Sequence, residues 1–281
     1  MPTTTNSRPA IYFETMGPDA ATPIIFVAGF TAQLISWHDD FCQSFVDSGF
    51  RVIRFDNRDV GLSQRIGPEH QQDGYTIKDM ALDGFAVLDD LGIASAHVVG
   101  QSMGGMIAQA MADLHPERVR SLSLIYTVPA IEERYFINLA ARAEAPIEPL
   151  GRDEMIELFT AEQSLQGTKT YPFEEAWNRE LAARSYDRGW DPAGMLRQRY
   201  AMLRNMGAGS FADAARLTMP VAVIHGREDP GISEAASIEL ARLLPHAELH
   251  LYGGMAHAIV EPLFEPLKNV IVRTARRAEA G

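Results

Sequence analysis

A serine, then an acid, then a histidine, taken in that chain order, can carry nucleophilic acyl transfer, because a serine hydroxyl attacks a carbonyl only when a base accepts its proton. The chain offers such a set. Ser102 lies in "VVGQSMGGMIA" (98–108), Asp229 in "HGREDPG" (225–231) and His257 in "GGMAHA" (253–258). Gly100-Gln101-Ser102-Met103-Gly104 fits G-x-S-x-G, a turn so sharp between strand and helix that neighbouring positions tolerate little side chain. Small residues also recur in structural turns. What weights the pattern toward a nucleophile is its setting, with an apolar strand before it and a helical pattern after it.

Glu228 adjoins Asp229 and stands as the alternative acid, although the turn "EDPG" favours Asp229, just before the proline-restricted position. Among the other histidines, His97 and His225 fall in strands and His115 precedes Pro116 at a helix end, where core or surface roles suffice. His38 lies near the loop after the first apolar strand and is a candidate pocket residue. A tetrahedral intermediate also needs two N–H donors. Met103, the residue after the nucleophile, is predicted to supply one and Phe30 in "FVAGF" the other, each through its backbone only.

These residues must be held by elements. "PIIFVAG" (23–29), "RVIRFD" (51–56), "AHVVG" (96–100), "RVRSLSLIYT" (118–127), "MPVAVIHG" (219–226) and "AELHLY" (247–252) read as strands. Helices are predicted from Ser36 to Gly49, with Trp37, Phe41 and Phe45 at four-residue spacing; from a Thr76 cap to about Leu91, stopped by Gly92; after Ser102 to near Leu114; from Ser233 to Leu244; and from about Val260. This alternation predicts an α/β class with a mostly parallel sheet and helices on both faces. Parallel strands end together, so the loops carrying Ser102, Asp229 and His257 converge on one edge.

From about Pro129 to Ser210 the pattern changes to helical periodicity without a strand, and aromatic residues and arginines become frequent, among them Trp177, Trp190, Arg184, Arg188 and Arg197. A helical lid over 130–210 is predicted, inserted into a core made of 1–129 and 211–281. Its aromatics with Met195, Met202 and Met206 either line an apolar pocket or pack the lid helices. The arginines form a solvated face or, turned inward, would recognise a carboxylate.

On "VVGQSMGG", "HGREDP", "GGMAHA" and the loop "DNRDVGLSQ" (56–64), the chain resembles the α/β-hydrolase superfamily over nearly its whole length. The loop looks like that family's D-x-R-G-x-G-x-S segment, whose expected role is structural support beside the nucleophile. Two positions depart from the pattern: Ala28-Gly29 replaces His-Gly before the oxyanion residue, and Asp59 stands where glycine is frequent. With the spacing to Trp37, both departures are similar to an esterase subgroup that includes the aclacinomycin methylesterases. The similarity is strongest in 20–128 and weak in the lid, so it implies the reaction type and leaves the substrate open.

With 281 residues, 46% hydrophobic and 22% charged, the chain can bury a substantial core. Its net charge of −12 works against nucleic acid and anionic membranes and favours a neutral or weakly polar small-molecule partner, which the triad makes an ester substrate. Cys42 is the one cysteine, which excludes an intramolecular disulfide and Cys-based zinc sites and reads as a buried thiol. No clustered metal-ligand pattern or phosphate fingerprint is evident, so neither metal nor cofactor is expected. "MPTTTNSRPA" lacks the apolar stretch of a secretory signal and the apolar runs are short, which predicts a soluble cytoplasmic protein. The expected function is a cofactor-independent serine hydrolase that cleaves carboxylic esters of an apolar or aromatic small molecule through an acyl-enzyme. Carbon–carbon bond hydrolysis or thioester hydrolysis would use the same triad. A non-catalytic ligand-binding member of the fold is the alternative from another class, and the presence of all three groups argues against it.

Overall fold

Runs of β-branched and aromatic residues bounded by turn formers become seven strands in the computed structural model, which describes residues 2–5, 7, 9–67, 74–140 and 149–279. They are β1 (Phe13–Met16), β2 (Thr22–Val27), β3 (Phe50–Phe55), β4 (Ala96–Gln101), β5 (Val119–Ile125), β6 (Val221–Gly226) and β7 (Ala247–Tyr252). The sheet order is β1-β3-β2-β4-β5-β6-β7, parallel except for β1, which pairs antiparallel with β3. Growth of the sheet switches sides at β2, with β3 laid on one flank and β4 on the other. The crevice beyond the C-terminal ends of β2 and β4 is therefore the topological switch point, where open α/β sheets bind ligands.

Period-two alternation splits each inner strand between two cores. Ile24 and Phe26 of β2 join Phe41 and Phe45 of α1 (Asp39–Val46) and Leu267 and Ile271 of α8 (Phe264–Glu279). Ile25 and Val27 join residues of α2 (Ile77–Asp90), α3 (Met103–Leu114) and α7 (Glu234–Leu243). Helices thus cover both faces, as the alternation predicts.

Two elements differ from expectation. β1 is unforeseen, because four residues with Glu14 among them carry no clear period; its Phe13 is buried and Glu14 pairs with Arg54 at 3.0 Å. The helix expected from Ser36 to Gly49 is broken: Leu34–Ser36 is a 3-10 turn, Trp37 is extended, His38 is non-helical, and α1 starts at Asp39. Asp39 and Asp40 suit the positive end of the helix dipole, while Trp37 turns into the core and stacks on Phe41. The Thr76 cap is present as a capping box with Asp79.

Between β5 and β6 lie α4 (Arg152–Gln166), α5 (Glu175–Gly189) and α6 (Pro192–Leu203), with no named strand among the described residues. Residues 141–148 of the segment expected to form a lid, and 68–73 of the expected core, lie outside the described residues. The segment meets the core through apolar contacts, with Ile131, Tyr135 and Ala201 joining the cluster of α2 and α3 and Leu181 beside Leu34 and Ile35. Its arginines add directional anchors. Arg188 Nη2 reaches Asp56 Oδ2 at 2.6 Å, and Arg197 makes two bonds to the Asp59 carboxylate at 2.8 and 3.0 Å. These two are neither a solvated face nor open to a ligand carboxylate; Arg184 is exposed, 3.8 Å from Glu180. Among the described residues no helix is long and apolar enough to cross a membrane.

Candidate active site

β4 runs into Ser102, whose φ of 53° and ψ of −122° lie in a region that side chains rarely adopt, and α3 starts at the next residue. Such a conformation costs on the order of 1–3 kcal/mol and persists only where the surroundings hold it. Here the Ser102 N–H donates to the Ile125 carbonyl at 2.9 Å, and the Ser102 carbonyl accepts from the Thr127 hydroxyl at 2.7 Å. The flanking glycines are steric necessities. A Cβ at Gly100 would lie 2.2 Å from the Gly104 carbonyl oxygen, and one at Gly104 would lie 2.1 Å from that of Val27.

Ser102 Oγ lies 3.1 Å from His257 Nε2, and His257 Nδ1 lies 2.7 Å from Asp229 Oδ2. Asp229 follows β6 and His257 follows β7, so three strand ends supply the three groups. The other Asp229 oxygen accepts the Gly231 and Ile232 N–H groups, each at 2.8 Å. Burial pushes the Asp229 pKa up, but His257 and the two amides outweigh it and hold the carboxyl below its ordinary range. An ionised carboxylate only accepts, so Nδ1 carries the ring proton and Nε2 is left to accept from the serine. Glu228, the alternative acid, faces away: it accepts from Thr168, Lys169 and Thr170.

Two supporting residues escaped the sequence reading. Burial lowers the His225 pKa, and its ring bonds Ser237 Oγ at 2.8 Å and the Ile232 carbonyl at 3.1 Å, bracing the loop that presents Asp229. Tyr126, at the end of β5 with φ 36°, sets its ring 4.5 Å from that of His257 and donates its hydroxyl to Gln101 Oε1 at 2.5 Å. Burial, with the Asp229 charge, raises the Tyr126 pKa and keeps it a donor. No periodicity marks either role; position at a strand end is the one available signal. His38 does not line the pocket but stacks between Trp177 and Phe264.

Met103 is the first residue of α3, so its N–H lies outside the intrahelical ladder. Gly29 comes so close that a Cβ there would sit 3.3 Å from Ser102 Cβ, which brings Phe30 alongside the serine. Where the resemblance expects His-Gly, other bonds hold the loop: Asn57 Nδ2 donates to the Ala28 carbonyl at 3.0 Å, and the Thr31 N–H donates to Gln198 Oε1 at 3.0 Å. Asp59 has φ 72°, which accounts for the glycine expected there, and its carboxylate takes Arg197 and the Ile66 N–H.

Ser102 and His257 open on a pocket of about 480 Å³ lined largely by apolar side chains, including Phe136, Phe159, Trp177, Trp190, Met195 and Met202. Met206 is half exposed and stands outside it. Among the described residues no group of three or more His, Cys, Asp or Glu could hold a metal ion.

A family model described as alpha/beta hydrolase fold matches residues 22–262. The rhodomycin D methylesterase DnrP of Streptomyces peucetius is 28% identical over 299 residues, covering 98% of this chain and 97% of that protein. A 2-hydroxymuconate semialdehyde hydrolase of Pseudomonas putida is 32% identical over 218 residues, covering 74% and 70%. Among solved structures, the enol-lactonase of Burkholderia xenovorans LB400 superposes with a TM-score of 0.76 at 21% identity, covering 98% of this chain and 100% of that one, a likeness of fold.

Proposed function

The chain belongs to the alpha/beta hydrolase fold family, and from that premise we propose that it is a serine hydrolase cleaving carboxylic esters of apolar or aromatic small molecules. The observation that carries the reading is the line of bonds from Ser102 Oγ through His257 to Asp229, at 3.1 and 2.7 Å, on the wall of an apolar pocket. Ser102 attacks the ester carbonyl as His257 Nε2 takes its proton, and Asp229 stabilises the imidazolium that forms. The N–H groups of Phe30 and Met103 hold the oxyanion. Collapse breaks the bond to the alcohol, which leaves with the proton from His257. Water then attacks the acyl-enzyme and delivers its proton to the same nitrogen; collapse breaks the bond to Ser102 Oγ, which takes that proton back as the acid is released. The 130–210 segment acts as a lid whose inner face selects the substrate.

Ester cleavage is preferred to carbon–carbon or thioester cleavage because the methylesterase relative matches this chain almost end to end, whereas the semialdehyde hydrolase matches three quarters of it. The test is turnover of methyl and aryl esters, with a thioester and a vinylogous diketone in parallel, beside Ser102→Ala. We expect the esters to be the best substrates and the variant to lose at least about 10⁴-fold in kcat. Ester release that survives Ser102→Ala, or a wild type that a fluorophosphonate does not label at Ser102, overturns the reading.

A further inference from the structure

We infer that Gln198, on α6, is a positioning residue for the oxyanion hole, so that the helical segment completes the reacting centre that it covers. The inference rests on the serine hydrolase reading, in which the Phe30 N–H is one of two donors. That N–H belongs to the peptide group joining Gly29 and Phe30. The peptide group before it is fixed from the core, where Asn57 Nδ2 donates to the Ala28 carbonyl at 3.0 Å. The peptide group after it is fixed from the helical segment, because the Thr31 N–H donates to Gln198 Oε1 at 3.0 Å. Thr31 has φ 61°, a left-handed conformation that a β-branched residue rarely takes, so the loop depends on outside partners to keep its course.

Gln198 is fully buried and its other end is committed too, with Nε2 donating to the Arg58 carbonyl at 2.8 Å. α6 is seated at a fixed depth. Arg197 grips the Asp59 carboxylate beside it, and Gly194, one turn earlier, lets the helix rest on the Asp59 carbonyl oxygen, where a Cβ would come within 2.2 Å. The glutamine therefore reaches the loop from a rigid support. A side chain that only docked the helix would have no need of the Thr31 N–H, one peptide group from the proposed donor.

Gln198→Met keeps the length and removes the acceptor; Gln198→Glu keeps an acceptor for Thr31; Arg197→Met loosens the same helix and leaves the Thr31 bond. Each is measured for kcat, KM, thermal unfolding and inhibition by an arylboronic acid, whose tetrahedral adduct on Ser102 places an oxygen in the hole. We expect Gln198→Met to lose about tenfold to a hundredfold in kcat and a similar factor in boronate affinity, with KM within about twofold of wild type. Gln198→Glu recovers part of the kcat, and Arg197→Met raises KM while keeping the boronate affinity. Gln198→Asn, too short to span both partners, replaces Gln198→Met if the latter does not fold. A Ser102-dependent wild type whose kcat and boronate affinity survive Gln198→Met, or a loss confined to KM as in Arg197→Met, overturns this inference alone. A wild type without Ser102-dependent turnover overturns it together with the parent reading.

Discussion

The sheet and the helical segment are held by different mixtures of forces. Around the sheet, Phe26, Trp37, Phe41 and Phe45 pack edge to face or stacked in a buried cluster, and the opposite face is filled by the methionines and aliphatics of α2 and α3. Burial of that kind is strong and non-directional. The helical segment shares in that burial through Ile131, Tyr135 and Ala201, and adds directional anchors: Arg188 on Asp56, Arg197 on Asp59 and Gln198 on Thr31. Buried ion pairs add little net stability over apolar contacts, but their geometry is specific, and losing one partner is costly. The difference teaches where register matters. The core needs volume and pattern, whereas the segment's polar anchors fix its register, and they fall on the loops after β2 and β3, on one side of Ser102.

The largest break in this comparison comes from Asp59. At φ 72° a glycine is conformationally welcome, so Asp59→Gly chiefly strands the Arg197 guanidinium with Asp191 alone, 3.4 Å away, a loss of up to about 3–5 kcal/mol. Arg197→Met in the same chain removes the stranded charge and is expected to restore much of that stability, while KM stays raised. Urea unfolding of both single variants and the double variant gives the coupling energy. Simple additivity would mean that the seam is not held by this pair, and the contrast drawn above would fail.

Legibility in the sequence follows the same divide. The inner strands are apolar runs bounded by turns, and their order alone brings Ser102, Asp229 and His257 to one edge. β1 was hidden because it is short and polar on one side, and the break at Trp37 was hidden because its four-residue spacing to Phe41 and Phe45 looks helical whether or not the chain is helical there. The helical segment was legible in kind and not in attachment. Arg188 and Arg197 look like solvated cations until Asp56 and Asp59, more than a hundred residues away in the chain, are brought beneath them. Gln198 and the Tyr126 ring beside His257 have places set by such long-range meetings, whereas His225 meets Ile232 and Ser237 within one local loop that carries no period.

A smaller effect sharpens the core side of the comparison. His97 opens β4 at the end away from Ser102, fully buried, with Nδ1 2.8 Å from Ser121 Oγ, and burial pushes its pKa down to about 4. The native ring is thus neutral where the unfolded ring, with a pKa near ~6.5, takes a proton. Stability is complete above that value and falls as the pH drops toward 4, by roughly 3 kcal/mol in all. His97→Asn should flatten this slope in chemical denaturation between pH 7 and 5 and leave KM untouched. An equal slope in the variant would assign the acid sensitivity to other groups, the anchors of the helical segment first among them.

The smallest expected effect is at Glu228, where the helical segment meets the loop of the acid. Its carboxylate accepts from the Thr168 and Thr170 hydroxyls at 3.0 and 2.6 Å and from the Lys169 N–H at 2.6 Å, and the Thr170 hydroxyl and Lys169 N–H hold its pKa below the ordinary range. Close by, the His257 backbone N–H donates to the Gln166 carbonyl at 3.2 Å, so this seam reaches the main chain of the proposed base. Glu228→Gln keeps an oxygen for the Lys169 N–H and removes only a charge that solvent and salt already screen. Michaelis parameters at low and high salt should show KM shifted by less than about twofold and kcat unchanged. A fall in kcat of several orders of magnitude would instead make Glu228 the acid in place of Asp229. A modest fall in kcat at constant KM would mean that the 166–170 turn helps to set the His257 ring, and that this second seam, like the one at Gln198, belongs to the reacting centre.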